Sequence, residues 1–235
     1  SYAEVDAAVD RVANALGARG IGPGDTVSSL MPNSAENVIT WFGILRSGAR
    51  QCPINVAYRG DFLSWAINLP EARTLVIAAS LLDRLEEVAG ELPLLRRVIV
   101  FADDEPSGAV PPGLETEDLT ALLDGPTGDP GIPVTWTDDA RVMFTSGTTG
   151  RSKGVIKQHA SDYFSARTYN EVCGVTDRDT LFSCLPLFHS NAQVLAVYPA
   201  MVAGARVALV DRYSASRFWD QVRETGATVL NTVSA

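Results

Sequence analysis

The segment Thr145-Ser146-Gly147-Thr148-Thr149-Gly150-Arg151-Ser152-Lys153-Gly154 combines what polyphosphate binding needs. Its glycines let a backbone turn tightly and approach a ligand closely. Its hydroxyls and backbone N–H groups are donors for phosphate oxygens, and Lys153 adds a cation that can sit among them. The pattern is not that of a P-loop NTPase, because Lys153 is preceded by Ser152 and followed by Gly154 rather than by Ser or Thr. On residue types alone, a solvated Ser/Thr/Gly hairpin turn with an incidental lysine fits equally well. A second segment, Leu185-Pro186-Leu187-Phe188-His189-Ser190-Asn191-Ala192, leaves a predicted strand and enters a predicted helix. Ligand sites of open α/β sheets lie at such carboxyl ends. There the His189 imidazole can hydrogen-bond an anionic oxygen or pack near a helix start.

The elements that must hold these segments alternate between helix and strand. Val142-Met143-Phe144 before the glycine-rich loop and Val155-Ile156 after it make the loop a connection between two strands. Upstream, Val5, Val9, Val12 and Leu16 recur at helical spacing, with Ser1 and Glu4 as a capping box and Gly20 as a stop. Asn33 and Glu36 are expected to cap the next helix, whose face carries Val38, Phe42 and Leu45 and which Gly48 closes. Strands are expected at 27–30, 51–55, 74–79 and 97–101, then at 180–187, 206–210 and 228–233. Helices are expected at 162–172, with a start near Ser161, and at 192–202 and 215–224. This rhythm predicts an α/β fold of two βαβ-type units, with mostly parallel sheets packed by helices. The expected division is a first α/β unit at 1–102, a connection at 103–139, and the loop with a second unit at 140–235. The connection holds six of the 13 prolines and is expected to be irregular, apart from a short helix near Leu119–Leu123.

The glycine-rich segment is similar, nearly residue for residue, to the phosphate-binding signature of the adenylate-forming superfamily. That superfamily comprises acyl- and aryl-CoA synthetases, luciferases and the adenylation domains of peptide synthetases. One departure is Ser152, where the family usually has Pro. The resemblance extends over essentially the whole chain. Ser1-Tyr2-Ala3-Glu4 looks like the family's opening helix. Leu30-Met31-Pro32-Asn33-Ser34 and Gly48-Ala49 with Pro53-Ile54-Asn55 look like its early motifs, which are expected to be structural. The resemblance implies the large N-terminal domain of an adenylate-forming enzyme. It implies that Thr145, Ser146, Gly147, Thr148, Thr149, Gly150 and Lys153 hold the ATP phosphates, with Thr145 as the candidate Mg2+ contact. His189, Ser190 and Asn191 would line the acid and adenylate pocket, and His159, which has a counterpart in many members, is expected to be structural. Trp41, Phe42, Trp65 and Trp219 are expected to pack in the core or between subdomains.

The His189 and Tyr213–Trp219 segments look most like bacterial acyl-CoA ligases, including carnitine- or crotonobetaine-CoA ligase-like enzymes and medium-chain acyl-CoA synthetases. The implied chemistry is ATP-dependent activation of a carboxylic acid, followed by thioester formation with coenzyme A. The alternatives are loading of a carrier-protein thiol, or an inactive nucleotide-binding homologue. The resemblance also allows a homodimer. The family continues beyond Val233-Ser234-Ala235 into further motifs, among them a Mg2+-side glutamate, a ribose-binding aspartate and a catalytic lysine. Residues 1–235 alone are therefore expected to complete neither half-reaction.

Composition narrows the partners. A net charge of −9 argues against a sequence-independent nucleic-acid binder, which needs a cationic face. It leaves a locally positive pocket for an anionic substrate. No apolar run approaches the roughly 18 residues of a spanning helix. Cys52, Cys173 and Cys184 are odd in number and widely spaced, so they read as buried free thiols of a reducing compartment. Ser1 opens directly into an amphipathic helix, so no signal sequence is expected and the cytoplasm is the expected location.

Overall fold

The computed structural model describes residues 1–145 and 152–232. The chain opens with α1 (Tyr2–Ala18), β1 (Thr26–Leu30), α2 (Ala35–Arg46), β2 (Arg50–Pro53), α3 (Gly60–Asn68), β3 (Thr74–Ala78), α4 (Leu82–Val88) and β4 (Arg97–Phe101). It continues through β5 (Glu115–Asp118), α5 (Thr120–Leu123), β6 (Asp139–Phe144), β7 (Gly154–Gln158), α6 (His159–Cys173) and β8 (Thr180–Ser183). Next comes one helical run: α7 (Ser190–Ala192), a π-helical stretch over Gln193–Val197, and α8 (Tyr198–Ala203). β9 (Arg206–Leu209), α9 (Phe218–Glu224) and β10 (Val229–Leu230) follow. Among the described residues the strands form two sheets. One has seven strands in the order β5-β4-β3-β1-β2-β6-β7 and is parallel except at the β6–β7 pair. The other has three parallel strands in the order β10-β8-β9. The two strands that flank the glycine-rich loop thus belong to the first sheet.

Local rules account for the first helix. Ser1 and Glu4 form the expected reciprocal capping box. At the other end Gly20 takes φ +74°, and the Ile21 N–H reaches back to the Leu16 carbonyl. Val9, Val12 and Leu16 bury one face. In the middle of the first sheet β1 and β3 are buried along their whole length, as strands covered by helices on both sides must be. Leu30, Ile54, Leu63, Leu75, Ile77 and Leu85 meet on one side, and Val12, Leu16, Val27, Ile44, Val76 and Ile99 on the other.

The structure differs from expectation in several places. Ser34, not Asn33 with Glu36, caps α2, accepting from the Asn37 N–H at 3.0 Å. The 103–139 connection contains β5, a mostly exposed edge strand paired to β4, as well as α5. α6 starts at His159 instead of Ser161, β8 ends at Ser183 instead of Leu187, and α9 starts at Phe218 instead of Ala215. Cys52 and Cys184 are buried free thiols, and burial pushes the Cys52 thiol up to about 12, but Cys173 is exposed. Trp41 is buried as expected, whereas Trp219 is exposed to 60%. The 228–233 strand is reduced to Val229–Leu230, and Val233 lies outside the described residues.

The α1–α2 crossing depends on Gly43. A Cβ there would sit 2.4 Å from the Val12 Cγ1 and 2.5 Å from its Cβ. Gly→Ala in a helix interior ordinarily stabilises by about 0.8–1 kcal/mol. Here the overlap is with the branched stem of Val12, which has no room to retreat, so the sign should reverse. Gly43→Ala is expected to destabilise by roughly 1–3 kcal/mol, the usual range for overpacking. Urea unfolding measures it, and adding Val12→Ala should recover part of the loss.

Candidate active site

The parallel register aligns the carboxyl ends of β2 and β6. Gln51 stands opposite Arg141, so Asn55 and Thr145 leave the sheet at the same level. The second sheet brings the end of β8 to the same place, where the chain runs on through Leu185 and Phe188. These ends enclose a cavity of about 520 Å³. Thr145, His189, Ser190 and Asn191 all line it, joined by Pro53, Asn55 and Tyr58 from the β2–α3 connection and by Phe144, Leu185 and Phe188. Its size suits a small organic ligand. Among the described lining residues there is no carboxylate, although the chain carries −9 overall. The wall offers hydroxyls, amides, aromatic rings and one imidazole.

Thr145 and Lys153 close the root of the glycine-rich hairpin. The Thr145 N–H donates to the Lys153 carbonyl at 3.0 Å, and the Lys153 N–H donates to the Thr145 Oγ1 at 3.3 Å. Both are exposed. The side of the hairpin differs, however. Lys153 lines a neighbouring cavity of about 630 Å³ with Arg50, Trp65, Leu69 and Ser152, not the one that holds His189. Phe144 stands between the two, 5.3 Å from the Trp65 ring. Ser146, Gly147, Thr148, Thr149 and Gly150 lie outside the described residues.

On the opposite wall Phe188 and His189 pack ring against ring at 4.5 Å. The surrounding protein lowers the His189 pKa by desolvation, so the ring is neutral at pH 7 and offers one donor and one acceptor. The turn that carries it is held from behind. The His189 N–H donates to the Pro186 carbonyl at 3.0 Å, and the buried Gln193 Nε2 donates to the Leu187 carbonyl at 2.6 Å. His189→Ala is expected to weaken binding of an anionic ligand in this cavity several-fold while moving the melting temperature by no more than about 2 °C, the shift of a surface substitution. Titration with a small carboxylic acid beside a melting curve checks this; an unstable variant with normal binding would make the ring structural.

His159 is elsewhere. It opens α6 half-buried and lines a cavity between α1, α2 and α8. Burial lowers its pKa against the opposing fields of Asp162 and Asp138. The residues missed by motif reading are Asn55 and Tyr58. The Asn55 Oδ1 accepts from the Ala57 N–H at 2.9 Å, making the turn that swings Tyr58 over the cavity, and the Tyr58 hydroxyl lies 3.5 Å from the Ser152 Oγ. Their signal was the position of Pro53-Ile54-Asn55 at a strand's carboxyl end.

A mostly parallel sheet with a cavity at its carboxyl ends is the place where open α/β folds hold their ligands. The profile of the family described as AMP-binding enzyme matches residues 1–235, and the chain belongs to that family. It is 32% identical over 240 residues to a crotonobetaine/carnitine–CoA ligase of Salmonella agona, covering 99% of this chain and 45% of that protein. It is 31% identical over 239 residues to the enzyme of the same name from Escherichia fergusonii, with the same coverage of 99% and 45%. The chain therefore spans about half the length of the curated relatives it matches. An anthranilate CoA ligase solved with anthranoyl-AMP superposes with a TM-score of 0.86 at 23% identity, over 96% of this chain and 43% of that one, a likeness of fold. The inhibitor-bound N-terminal domain of FACL13 from Mycobacterium tuberculosis superposes at 0.83 with 25% identity, over 99% of this chain and 55% of that domain.

Proposed function

We propose that this chain forms the acid-binding and phosphate-binding part of an ATP-dependent acid–thiol ligase that makes an acyl-adenylate and passes the acyl group to coenzyme A. The observation that carries this reading is the shared cavity at the ends of β2, β6 and β8. Thr145, at the root of the glycine-rich hairpin, faces His189, Ser190 and Asn191 across it. A carboxylate is a poor electrophile because its charge repels nucleophiles. In the first half-reaction its oxygen attacks the α-phosphorus of ATP, and pyrophosphate leaves. In the second, a thiol sulfur attacks the acyl carbon, the thiol proton is lost, and AMP leaves.

The protein's part is positioning and charge complementarity. The neutral His189 ring and the Ser190 and Asn191 side chains give a carboxylate hydrogen-bond partners without a competing negative charge. Phe144, Tyr58 and Phe188 supply the apolar wall. The hairpin from Thr145 to Lys153 takes the phosphates. Among the described residues no group of His, Cys, Asp and Glu is clustered for a metal ion. Thr145 contributes one neutral oxygen at the cavity, which suits an ion that arrives with the nucleotide and keeps much of its water. When bound there, Mg2+ supplies charge neutralisation for the departing pyrophosphate.

The names of the relatives place crotonobetaine and carnitine first in a panel of acids, beside aromatic and medium-chain fatty acids. The test is acid-dependent ATP–pyrophosphate exchange by the whole protein, followed by addition of coenzyme A. Exchange with at least one acid, then AMP release and a free thioester, is the expected result. Turnover only with a carrier protein would move the acceptor to that thiol. ATP binding without any exchange would make the protein a nucleotide-binding homologue that has lost the chemistry.

A further inference from the structure

We propose that Asn33 is a positioning residue for the acid cavity, acting through the backbone of the turn that carries His189. Asn33 lies between β1 and α2, in the first unit, yet all three hydrogen bonds of its side chain reach the second. Its Nδ2 donates to the Leu185 carbonyl at 2.9 Å and to the Val210 carbonyl at 3.0 Å. Its Oδ1 accepts from the Leu187 N–H at 2.8 Å. Leu185 and Leu187 follow β8, and Val210 follows β9, so one amide ties the carboxyl ends of two parallel strands to the carboxyl end of β1. The Val210 N–H in turn donates to the Ser183 carbonyl at 3.0 Å, keeping the two strand ends together.

The primary amide suits this place. Two strand-end carbonyls and one N–H point at a single spot, and a primary amide offers two donors and one acceptor in a plane. A carboxylate of the same size would face both carbonyls without a proton. A hydroxyl is too short to reach all three groups. Leu187 is the common node: its N–H is held by Asn33 and its carbonyl by Gln193. The turn over Phe188 and His189 therefore starts from a peptide fixed on both sides, while Leu185 on the cavity wall is fixed by the same amide. Local capping does not need this side chain, because Ser34 caps α2. What Asn33 holds is the distance between the wall built on β2 and β6 and the wall built on β8.

The functional half of this inference rests on the acid–thiol ligase reading, so its test carries a readout that does not. Asn33→Asp and Asn33→Ala are made in the whole protein. Hydrogen exchange of the Leu187 and His189 amides is followed beside the KM values for acid and for ATP in pyrophosphate exchange. Expected is faster exchange at Leu187 and His189 while the β1 and β3 amides stay protected. The acid KM should rise, or the rate fall, by roughly ten- to a hundred-fold, the size expected when a binding group is misplaced by about an ångström, with the ATP KM changed less than about two-fold. Faster amide exchange with unchanged acid kinetics would overturn the positioning role. So would loss of protection spread over β1 and β3, in either variant, which marks a fold-wide effect. If the unaltered protein shows no acid-dependent exchange, the ligase reading fails, and the amide data still decide whether Asn33 sets this turn.

Discussion

Arg141→Met should destabilise the protein by about 3–5 kcal/mol, because it strands a buried carboxylate. Arg141 in β6 and Asp162 in α6 form an ion pair whose side chains are 0% and 2% exposed. The guanidinium also lies 5.6 Å from the ring centres of both Trp41 and Tyr198. Desolvation raises the Tyr198 pKa, so that ring stays neutral and packs beside the pair without adding charge. Four elements therefore meet at one cation: β6, α6, α2 and the start of α8. The pair's net worth is small compared with the cost of breaking it, since both charges had to leave water. Asp162→Leu alone should cost a similar amount, and the combination Arg141→Met with Asp162→Leu clearly less than either single change. Arg141→Lys should not restore stability, because a lysine ammonium lacks the planar face that stacks against the rings. Denaturant unfolding of the unaltered protein, Arg141→Met, Asp162→Leu and their combination forms a double-mutant cycle, with Arg141→Lys measured beside it. Additive losses would show that the two side chains act independently. Arg141 also stands four positions before Thr145, which follows directly on the end of the same strand. Local loosening there should slow acid activation as well as lower stability.

Lys153→Ala should reduce ATP-dependent acid activation by roughly ten- to a hundred-fold at subsaturating ATP, the equivalent of about 1.5–3 kcal/mol for a charged hydrogen bond. The backbone of Lys153 is tied to Thr145 on both sides, so its position at the root of the hairpin does not depend on its side chain. Removing the ammonium should leave the β6–β7 pairing and the thermal midpoint in place. The exposed side chain lines the cavity beside Arg50 and Trp65, separate from that of His189. The loss should accordingly appear in the ATP dependence and not in the acid dependence. Pyrophosphate exchange titrated separately with ATP and with acid decides it. Unchanged exchange at low ATP would remove Lys153 from the phosphate site.

The relation between sequence and structure is clearest at residues whose partners lie near in the chain. The α1 capping box needs only Ser1 and Glu4, three residues apart, and the structure forms it. β3 was readable because Leu75-Val76-Ile77-Ala78 is a continuous apolar run, the pattern a strand covered on both faces favours, and Thr74–Ala78 is buried throughout. β5 was not readable. Glu115–Asp118 is polar and mostly exposed, and it is a strand because β4 offers it an edge. Trp219 read as packing because it lies on a helix face, yet among the described residues it is left 60% exposed.

For the candidate site the same division holds. Thr145, Lys153 and His189 stood out because turns, hydroxyls and strand ends leave local marks. The amino-acid order by itself determined the α/β class and the place of the glycine-rich segment between two strands, since these follow from periodicity and from bonds between near neighbours, but it read the turn after β8 as strand as far as Leu187. Tertiary structure alone decided that β2 and β6 pair in parallel, so that Asn55 meets Thr145, and that Lys153 and His189 line different cavities. It decided that Asn33 leaves the capping of α2 to Ser34 and holds Leu185, Leu187 and Val210, and that Arg141 is wholly buried. The reason is one of range. An Asn before a helix or an Arg in a strand can satisfy its polar atoms locally or in water, and only the arrival of segments far along the chain, with their own unpaired carbonyls and carboxylates, makes the distant partner the better one.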